Sequence, residues 1–311
     1  IISGIPRIIS LESELKSLMK SGVIDLFVPV DYPGLNLRLA RYASRMNIPV
    51  MYFISPQVWA WGRWRLRKMK KYIDRMVVIL PFEEHLYKAE GIPVFFASHP
   101  VLEEIEPPEK PKEAPHPDSD FKILLFPGSR VQEVGRMLPP MLDAARELRK
   151  KFARAEFILG VAPLIRDQAV EIPEDLRGAV RVTGRGLEEL ADVSLVLAAS
   201  GTVTLQTAVS GTPLVAMYKT SFISYILARV MIRIPYVAMP NVLAGEKIIP
   251  ELIQREVTGY RIAEQAVKRL TSREQYRKTS AALLGLRKTL RGGGGMGRVA
   301  ELALEMTDRR G

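Results

Sequence analysis

The sequence contains no cysteine, and its only histidines are His85, His99 and His116. A disulfide framework and a Cys/His zinc cluster are therefore excluded. Long apolar runs are also missing, because basic residues interrupt the most hydrophobic stretch, residues 213–240, before it reaches the roughly 20 apolar residues that span a bilayer. Residues 1–20 carry charged side chains where an export signal needs an apolar core, which favours a cytoplasmic location.

Acidic residues are outnumbered by basic ones. The 311 residues include 45 Lys and Arg against 34 Asp and Glu, a formal net charge of +11. This excess predicts an anionic partner, which could be nucleic acid, a phosphorylated metabolite or an acidic membrane surface. Charge alone does not choose among these three.

Apolar runs of strand length alternate with helical segments, which predicts an α/β fold with parallel sheets. The proline-rich and charged segment 106–120 has nothing for a core to bury and is interpreted as a linker. We therefore expect an N-terminal domain over 1–105, a C-terminal domain over 121–290, and a last helix over 291–311 after a flexible glycine break. The predicted strands are 24–30, 50–54, 76–80, 94–96, 122–126, 156–159, 180–182, 194–198 and 213–217.

Ligands of such sheets bind beyond the carboxyl ends of the strands, so the residues after each strand matter most. The strand 122–126 is followed by Pro-Gly-Ser129-Arg130 and then by a long predicted helix. The free amides at that helix start and the Arg130 guanidinium suit a phosphate or diphosphate. Glu133 could cap the turn or hold Arg130, and an ordinary capped turn without a ligand remains the alternative.

A second junction of the same kind follows the strand 194–198. Ser200, Gly201 and Thr202 begin the next helix and offer hydroxyls and amides to another anionic group. Two such helix starts in one domain favour binding of a nucleotide diphosphate. Asn241 lies in a turn further on, where its amide could bind a ligand or only satisfy the turn.

Three side chains of the first domain follow predicted strands. Asp31 could act as a general base, or it could form an Asx turn or helix cap before the next helix. Ser55 and His99 are candidates for the mouth of a cleft, although a lone histidine is more often a hydrogen-bonded structural residue.

A segment rich in tryptophan and basic residues begins at Trp59. It is interpreted as a solvated basic helix face, a nucleic-acid patch or a helix lying on an anionic membrane. Because tryptophan accompanies the basic residues, membrane contact ranks above nucleic acid, and residues 222–232 are a second candidate for that contact. The candidates for lipid contact are Trp59, Trp61, Trp64, Arg65 and Lys68.

Several of these segments, in this order, resemble the lipid A disaccharide synthase family. SPQVWAW followed by PGSR, SGT and PNVLAG is far beyond chance, and the likeness covers nearly the whole chain from about residue 25. The segments are VDYPGLNLRLA (30–40), YFISPQVWAWGRWR (52–65), ILPFEEHLY (79–87), SHPVLEE (98–104), LLFPGSRVQEV (124–134), AASGTVTLQTA (198–208) and MPNVLAGEKIIPELIQ (239–254).

The resemblance implies a GT-B fold, with two Rossmann-like domains facing a cleft. It implies an inverting transfer from UDP-2,3-diacylglucosamine to the 6-hydroxyl of 2,3-diacylglucosamine 1-phosphate, with no metal, no cofactor and Asp31 as the base. It also implies an enzyme bound peripherally to the inner membrane, without a nucleic-acid partner; a homodimer is left open. The implied donor-binding residues are Ser129, Arg130, Glu133, Ser200, Gly201, Thr202, Gln206 and Asn241.

The sequence departs from the family pattern in several places. No Gly-Glu-x-Ser-Gly-Asp loop is found, so we expect the N-terminal domain to lack its opening βα unit and treat an inactive fragment as an open alternative. Ser98 and Glu103 replace a Gly and an Asp of the family. Gln206 stands where the family has Glu; in related glycosyltransferases a carboxylate there binds the ribose hydroxyls, and Gln keeps the hydrogen bonding but loses the charge.

Two other functions stay open at this stage. One is a different GT-B enzyme that uses UDP-N-acetylglucosamine, such as the peptidoglycan precursor transferase or the 2-epimerase. The other is a non-catalytic basic protein that binds nucleic acid, whose affinity would fall steeply with salt.

Overall fold

The computed structural model of the protein describes residues 5–308 except 163–164, 166–169, 222–224, 227–228 and 230–233. The strands are β1 (Met51–Phe53), β2 (Arg75–Val78), β3 (Val94–Phe96), β4 (Phe121–Phe126), β5 (Ala155–Gly160), β6 (Val180–Thr183), β7 (Leu195–Ala199), β8 (Leu214–Tyr218) and β9 (Glu251–Ile253). The helices described are α1 (Ile5–Lys20), α2 (Pro33–Arg45), α3 (Leu66–Tyr72), α4 (Pro81–Ala89), α5 (Val101–Glu104), α6 (Val131–Lys151), α7 (Thr202–Val209), α8 (Met239–Ala244), α9 (Gly259–Thr271), α10 (Arg273–Thr289) and α11 (Met296–Asp308). All strand pairs among the described residues are parallel, as expected for an α/β protein.

The chain divides into two compact units. Unit 1 comprises Ile1–Pro100 and Thr289–Gly311, and unit 2 comprises Val101–Lys288. The division differs from the expected one at the end of the chain, where the last helix belongs to unit 1 instead of standing alone. The expected linker 106–120 lies within unit 2.

Unit 1 is built on a parallel sheet of β1, β2 and β3, in that order. One face packs on helices of the N-terminal part, with Tyr52, Met69 and Met76 fully buried. On the other face, Val299 and Leu302 of α11 pack with Met51 and Val77 of the sheet. The last helix therefore completes the core of the first unit.

The predicted strand 24–30 is wrong in extent. Only isolated parallel bridges form there, joining Phe27 to Val50 and Val30 to Phe53. Pro29 accepts a hydrogen bond from the Phe53 amide but has no N–H to donate, so a regular ladder cannot form along this edge.

The glycine run before α11 is not the flexible break that was expected. The Gly293 amide donates to the Phe96 carbonyl at 2.9 Å, and the Ser98 amide donates to the Gly294 carbonyl at 2.8 Å. A Cβ on Gly292 would lie 2.3 Å from the Phe96 oxygen, so only glycine fits there. The run fastens the chain to the end of β3.

Unit 2 is built on a six-stranded parallel sheet of order β6-β5-β4-β7-β8-β9. Helices α6 and α9 cover one face, over a core that includes Leu125, Phe157 and Leu197. Strand β9 at the edge is absent from the predicted set, since three residues beginning with a glutamate carry little strand pattern. The remaining predicted strands of this unit are present within a few residues of their expected bounds.

The segment expected to be a linker is held in place by Lys112. Its Nζ donates to the carbonyls of Leu190, Ala191 and Val193 at 2.6–3.0 Å, and its amide donates to the Ser280 hydroxyl at 2.8 Å. Burial lowers the pKa of Lys112 to about 8. The composition of this segment correctly predicts that it forms neither helix nor strand. It does not predict that Lys112 anchors the segment to unit 2. In the described part of the chain, no helix is both long and apolar enough to cross a membrane.

Candidate functional site

Two neighbouring strand ends in unit 2 bring the predicted anion-binding turns together. Strands β4 and β7 pair in parallel, with Phe126 opposite Ala198. Adjacent strands lie about 4.8 Å apart, so the turns that follow them are side by side at one edge of the sheet. The starts of α6 and α7 therefore lie beside each other, and the positive ends of both helix dipoles are at this edge.

The first turn is shaped by Gly128. Its φ of +118° suits glycine, and a Cβ there would lie 2.8 Å from the Glu133 Cβ. The Glu133 carboxylate accepts from the Ser129 amide at 3.2 Å and from the Arg130 guanidinium at 2.8 Å. Glu133 thus fills both roles that the sequence left open, capping the turn and holding Arg130, whose side chain is 79% exposed.

The second turn offers amides without an internal carboxylate. Helix α7 begins after Gly201 with no side-chain cap, and both Gly201 and Thr202 are exposed. The Ser200 amide donates to the Met217 carbonyl, which fixes the turn to the end of β8. The first amides of α7 are therefore available to an anion.

The two remaining donor-site candidates differ in their surroundings. Gln206 lies one turn into α7 and donates from Nε2 to the Glu104 carboxylate at 2.8 Å. Asn241 is fully buried; its Nδ2 donates to the Ile249 carbonyl and to Glu251, and its Oδ1 accepts from the Ile249 amide. These bonds favour the alternative in which Asn241 satisfies the turn, and its part in donor binding stays a prediction.

In unit 1, Asp31 is exposed in a left-handed backbone conformation, with φ of 44°. Its carbonyl accepts from the Tyr52 hydroxyl and from Asn36 Nδ2, and its amide donates to the Phe53 carbonyl. The cap position of α2 is occupied by Tyr32 without a side-chain hydrogen bond, so Asp31 does not cap that helix. Burial raises the pKa of Tyr52, and the negative charge of Asp31 raises it further.

Unit 1 also contains a buried carboxyl group, that of Glu83, which the sequence analysis did not single out. Glu83 is 2% exposed and accepts from the Ser55 hydroxyl at 2.8 Å and from Trp59 Nε1 at 3.2 Å. Burial raises the pKa of Glu83 to about 7. In the sequence, Glu83 looks like an ordinary acidic residue in the first turn of α4, so no pattern signals its burial.

Both expected cleft candidates of unit 1 make hydrogen bonds within the unit, Ser55 through its side chain and His99 through its main-chain amide. Ser55 is buried, and its hydroxyl is bonded to Glu83, which gives it a structural role. His99 is half-buried, and its amide donates to the Leu290 carbonyl at 3.0 Å. Among the described residues, no three acidic or histidine side chains are grouped as metal ligands would be, and the metal-free mechanism stays a prediction.

The expected cluster of tryptophans divides into two parts. Trp59 packs edge-on against Phe82, with ring centroids 4.9 Å apart, and is therefore unlike the other two. Trp61 and Trp64 are 37% and 64% exposed. The Arg65 guanidinium lies 4.0 Å from the ring centre of the first and 5.1 Å from the second, and Lys68 Nζ lies 5.5 Å from Trp64. Trp61, Trp64, Arg65 and Lys68 form the basic aromatic surface; the second candidate, 222–232, lies mostly outside the described residues.

Solved structures share this architecture. A glycosyltransferase described as that of kitacinnamycin matches with a TM-score of 0.62 at 16% identity, covering 96% of this chain and 80% of its own. The UDP-GlcNAc 2-epimerase of Neisseria meningitidis, bound to UDP-GlcNAc, matches with a TM-score of 0.60 at 14% identity, covering 96% and 81%. The protein therefore has the GT-B fold of glycosyltransferases and related epimerases, with Rossmann-like domains, as the resemblance implied.

Sequence comparison narrows this class. The family model described as lipid-A-disaccharide synthetase matches residues 1–292. The lipid-A-disaccharide synthase of Geobacter metallireducens is 36% identical over 304 residues, which cover 95% of this chain and 79% of that protein. That of Anaeromyxobacter sp. (strain K) is 37% identical over 312 residues, covering 98% and 81%. The chain belongs to the lipid-A-disaccharide synthase family, the glycosyltransferases of lipid A biosynthesis, and the resemblance stated from its motifs is confirmed.

Proposed function

We propose that the protein transfers 2,3-diacylglucosamine from UDP to the 6-hydroxyl of 2,3-diacylglucosamine 1-phosphate, with inversion and release of UDP. The observation that carries this proposal is the pair of adjacent turns after β4 and β7, each opening a helix. Such a pair suits a diphosphate better than a single phosphate, because two helix starts and one guanidinium can share its charge. Membership of the family supports the choice of substrates.

The chemistry of this proposal is the stabilisation of a leaving group. As the bond from the anomeric carbon to UDP breaks, negative charge grows on the diphosphate. The amides at the starts of α6 and α7 meet that charge without reorganising, and Arg130 adds its guanidinium. Arg130 must exchange its bond to Glu133 for one to the diphosphate, which costs little because both side chains reach solvent.

Asp31 is the proposed general base toward the acceptor hydroxyl. Its carboxylate is exposed and does not cap α2, while the bonds to its main chain hold it in one conformation. A base of this kind contributes by removing the proton as the new bond forms. No metal or cofactor takes part in this proposal, and UDP-sugar is a substrate.

A thin-layer assay with the diacylated donor and acceptor tests the proposal. The protein is expected to convert them to a disaccharide 1-phosphate and UDP. Conversion of UDP-N-acetylglucosamine alone, without a disaccharide product, would favour a different GT-B enzyme. Binding of RNA that is steeply salt-dependent and insensitive to UDP would favour a nucleic-acid binder instead.

We also propose that the protein works in the cytoplasm at the inner membrane and contacts anionic lipid through the basic aromatic surface. Exposed tryptophan beside basic side chains is typical of interfacial segments. Trp64→Ala is expected to weaken sedimentation with phosphatidylglycerol vesicles several-fold, whereas Tyr260→Ala removes a ring that is 72% exposed in unit 2 and leaves binding unchanged. Equal losses in both variants would contradict this contact.

A further inference from the structure

The carboxylate of Glu104, which lies outside the two turns, contacts Gln206 of the proposed donor site in unit 2. Glu104 ends α5, and its carboxylate accepts from Gln206 Nε2 at 2.8 Å. Glu104 is exposed and Gln206 is half-buried. A hydrogen bond between such partners adds little to stability, because water competes for both of them. A contribution to folding stability therefore does not explain the contact between Glu104 and Gln206.

The main chain around Glu104 is nevertheless held by the half-buried Arg287. Arg287 donates from Nη1 to the carbonyls of Ile105 and Val209 at 2.8 and 3.1 Å, and from Nη2 to the Leu102 carbonyl at 3.2 Å. One guanidinium thus joins the end of α5 to the end of α7. Val101 and Ile105 on either side of Glu104 are buried and hold α5 against unit 2. The main chain that carries the Glu104 carboxylate is thus already ordered before a ligand binds, which lowers the entropic cost of binding.

The placement of the pair along α7 indicates what it could bind. Gln206 follows Thr202 by four residues, about one helical turn from the amides that face the diphosphate. In a nucleoside diphosphate, the group next to the diphosphate is the ribose, whose two vicinal hydroxyls are hydrogen-bond donors. Because Gln206 gives its Nε2 to Glu104, its Oε1 and the carboxylate oxygens are the acceptors of this pair.

We propose that Glu104 is a specificity-determining residue of the donor site, which binds the vicinal hydroxyls of the donor ribose together with Gln206. The carboxylate of Glu104 supplies the charged acceptor that the amide of Gln206 lacks, and Gln206 orients it. Hydrogen bonds to a charged acceptor are stronger than those to a neutral one, so the charge selects ribonucleotides over their deoxy forms. This inference rests on the proposed function, since it needs a nucleoside diphosphate at the two turns.

Calorimetry of this chain with UDP and with 2′-deoxy-UDP tests the inference. The chain is expected to bind UDP about tenfold more tightly than 2′-deoxy-UDP. Glu104→Gln keeps the shape and the bond to Gln206 but removes the charge; it is expected to lower UDP affinity about tenfold and to lower 2′-deoxy-UDP affinity clearly less, because only the 3′-hydroxyl remains there. Glu106→Gln removes the same charge from an exposed residue two positions further on and is expected to change neither affinity. The exchange Glu104→Gln with Gln206→Glu moves the carboxylate across the pair and is expected to restore UDP affinity to within about twofold.

The possible failures separate this inference from the proposed function. If UDP binds and Arg130→Ala weakens it, but Glu104→Gln lowers the affinities for both nucleotides equally or not at all, Glu104 does not read the ribose and only this inference is overturned. The same holds if the exchanged pair stays as weak as Glu104→Gln alone. If the chain does not bind UDP, or if Arg130→Ala leaves binding unchanged, the donor site itself is overturned and the inference falls with it.

Discussion

Backbone strain in unit 1 is concentrated beside Asp31. Asp31, Tyr32 and Ile54 all have positive φ, and for a β-branched residue such as Ile54 this is a genuine outlier. Such conformations cost about 1–3 kcal/mol each and persist only where surrounding bonds enforce them. At Asp31, the bonds that Tyr52 and Asn36 donate to its carbonyl do so. Strain held in this way is typical of sites that must present a side chain in one direction.

Asp31→Asn tests the role of the exposed carboxylate. The substitution keeps the size of the side chain but removes its ability to accept a proton, so turnover is expected to fall at least about 100-fold while UDP affinity stays the same. Single-turnover rates and calorimetry measure the two quantities. Asp25→Asn, also exposed and before the first bridge of the sheet, is the matched control. Turnover near that of the parent protein would remove Asp31 as the base.

Glu83 is expected to make the stability of unit 1 depend on pH. Its pKa is about 7 in the folded protein and about 4.5 in the unfolded chain, so the folded state binds the proton more tightly. Its contribution to stability is therefore complete below about pH 4.5 and is lost as the pH rises through 7.

Urea denaturation of Glu83→Gln at pH 5 and pH 8 measures this effect. The difference in unfolding free energy between the parent protein and the variant is expected to change by up to about 3 kcal/mol, with the parent losing stability at high pH. Glu84→Gln, whose carboxylate pairs with Lys88 at the surface, is expected to show no such change. A difference that stays constant with pH would contradict the assignment to Glu83.

Among the secondary-structure elements, those with continuous apolar cores are predictable from sequence. The strand over 94–96 has its predicted bounds, and the long helix predicted after Arg130 is present over Val131–Lys151, because apolar spacing and the flanking turns define them. The edges are not predictable: β9 carries too short a pattern, and the segment 24–30 pairs only at isolated positions. Pairing at an edge depends on one neighbour that the local sequence does not reveal.

The candidate site follows the same division. The turns at Ser129 and Ser200 are found from spacing because they lie where strands end. The burial of Asn241 and Glu83 and the inward packing of Trp59 depend on contacts with distant segments, which no local pattern encodes. The bond between Gln206 and Glu104 joins positions 102 residues apart and is visible only in the fold.

The start of α6 is expected to lose its affinity for UDP without Arg130. Arg130→Ala removes the guanidinium but leaves Gly128 and the turn intact, so UDP affinity should fall at least about tenfold with little change in stability. Lys151→Ala removes the same charge from the other end of this helix and should leave UDP affinity unchanged. Calorimetry compares the two variants. Equal affinities in both would contradict the donor site.

At the scale of the whole molecule, the chain leaves unit 1 for unit 2 and then returns. Thr289–Gly311 belongs to unit 1, where α11 packs on the face of the sheet opposite α2 and α3. The stability of the first unit therefore depends on the last part of the described chain. Substitutions of buried residues in α11 should lower the stability of unit 1 and leave the UDP affinity of unit 2 unchanged.

Leu302→Ala tests this dependence. Leu302 is 5% exposed, so its truncation leaves a cavity and is expected to destabilise unit 1 by about 2–4 kcal/mol. Leu304→Ala on the same helix removes a side chain that is 64% exposed and should change stability by less than about 0.5 kcal/mol. Thermal unfolding gives the stabilities, and UDP affinity should survive in both variants. Equal stabilities would show that α11 does not complete the core.

The return of the chain to unit 1 has a consequence for synthesis on the ribosome. The sheet of unit 1 emerges early, but the helix that covers one of its faces emerges only after the whole of unit 2 has been translated. At about 5–20 residues per second, this interval lasts roughly 10–40 s. During that time Met51 and Val77 lack the apolar cover of α11. The nascent protein therefore exposes an apolar surface that can associate with other chains. Chaperones that bind such surfaces would act on the first unit while the second is already folding.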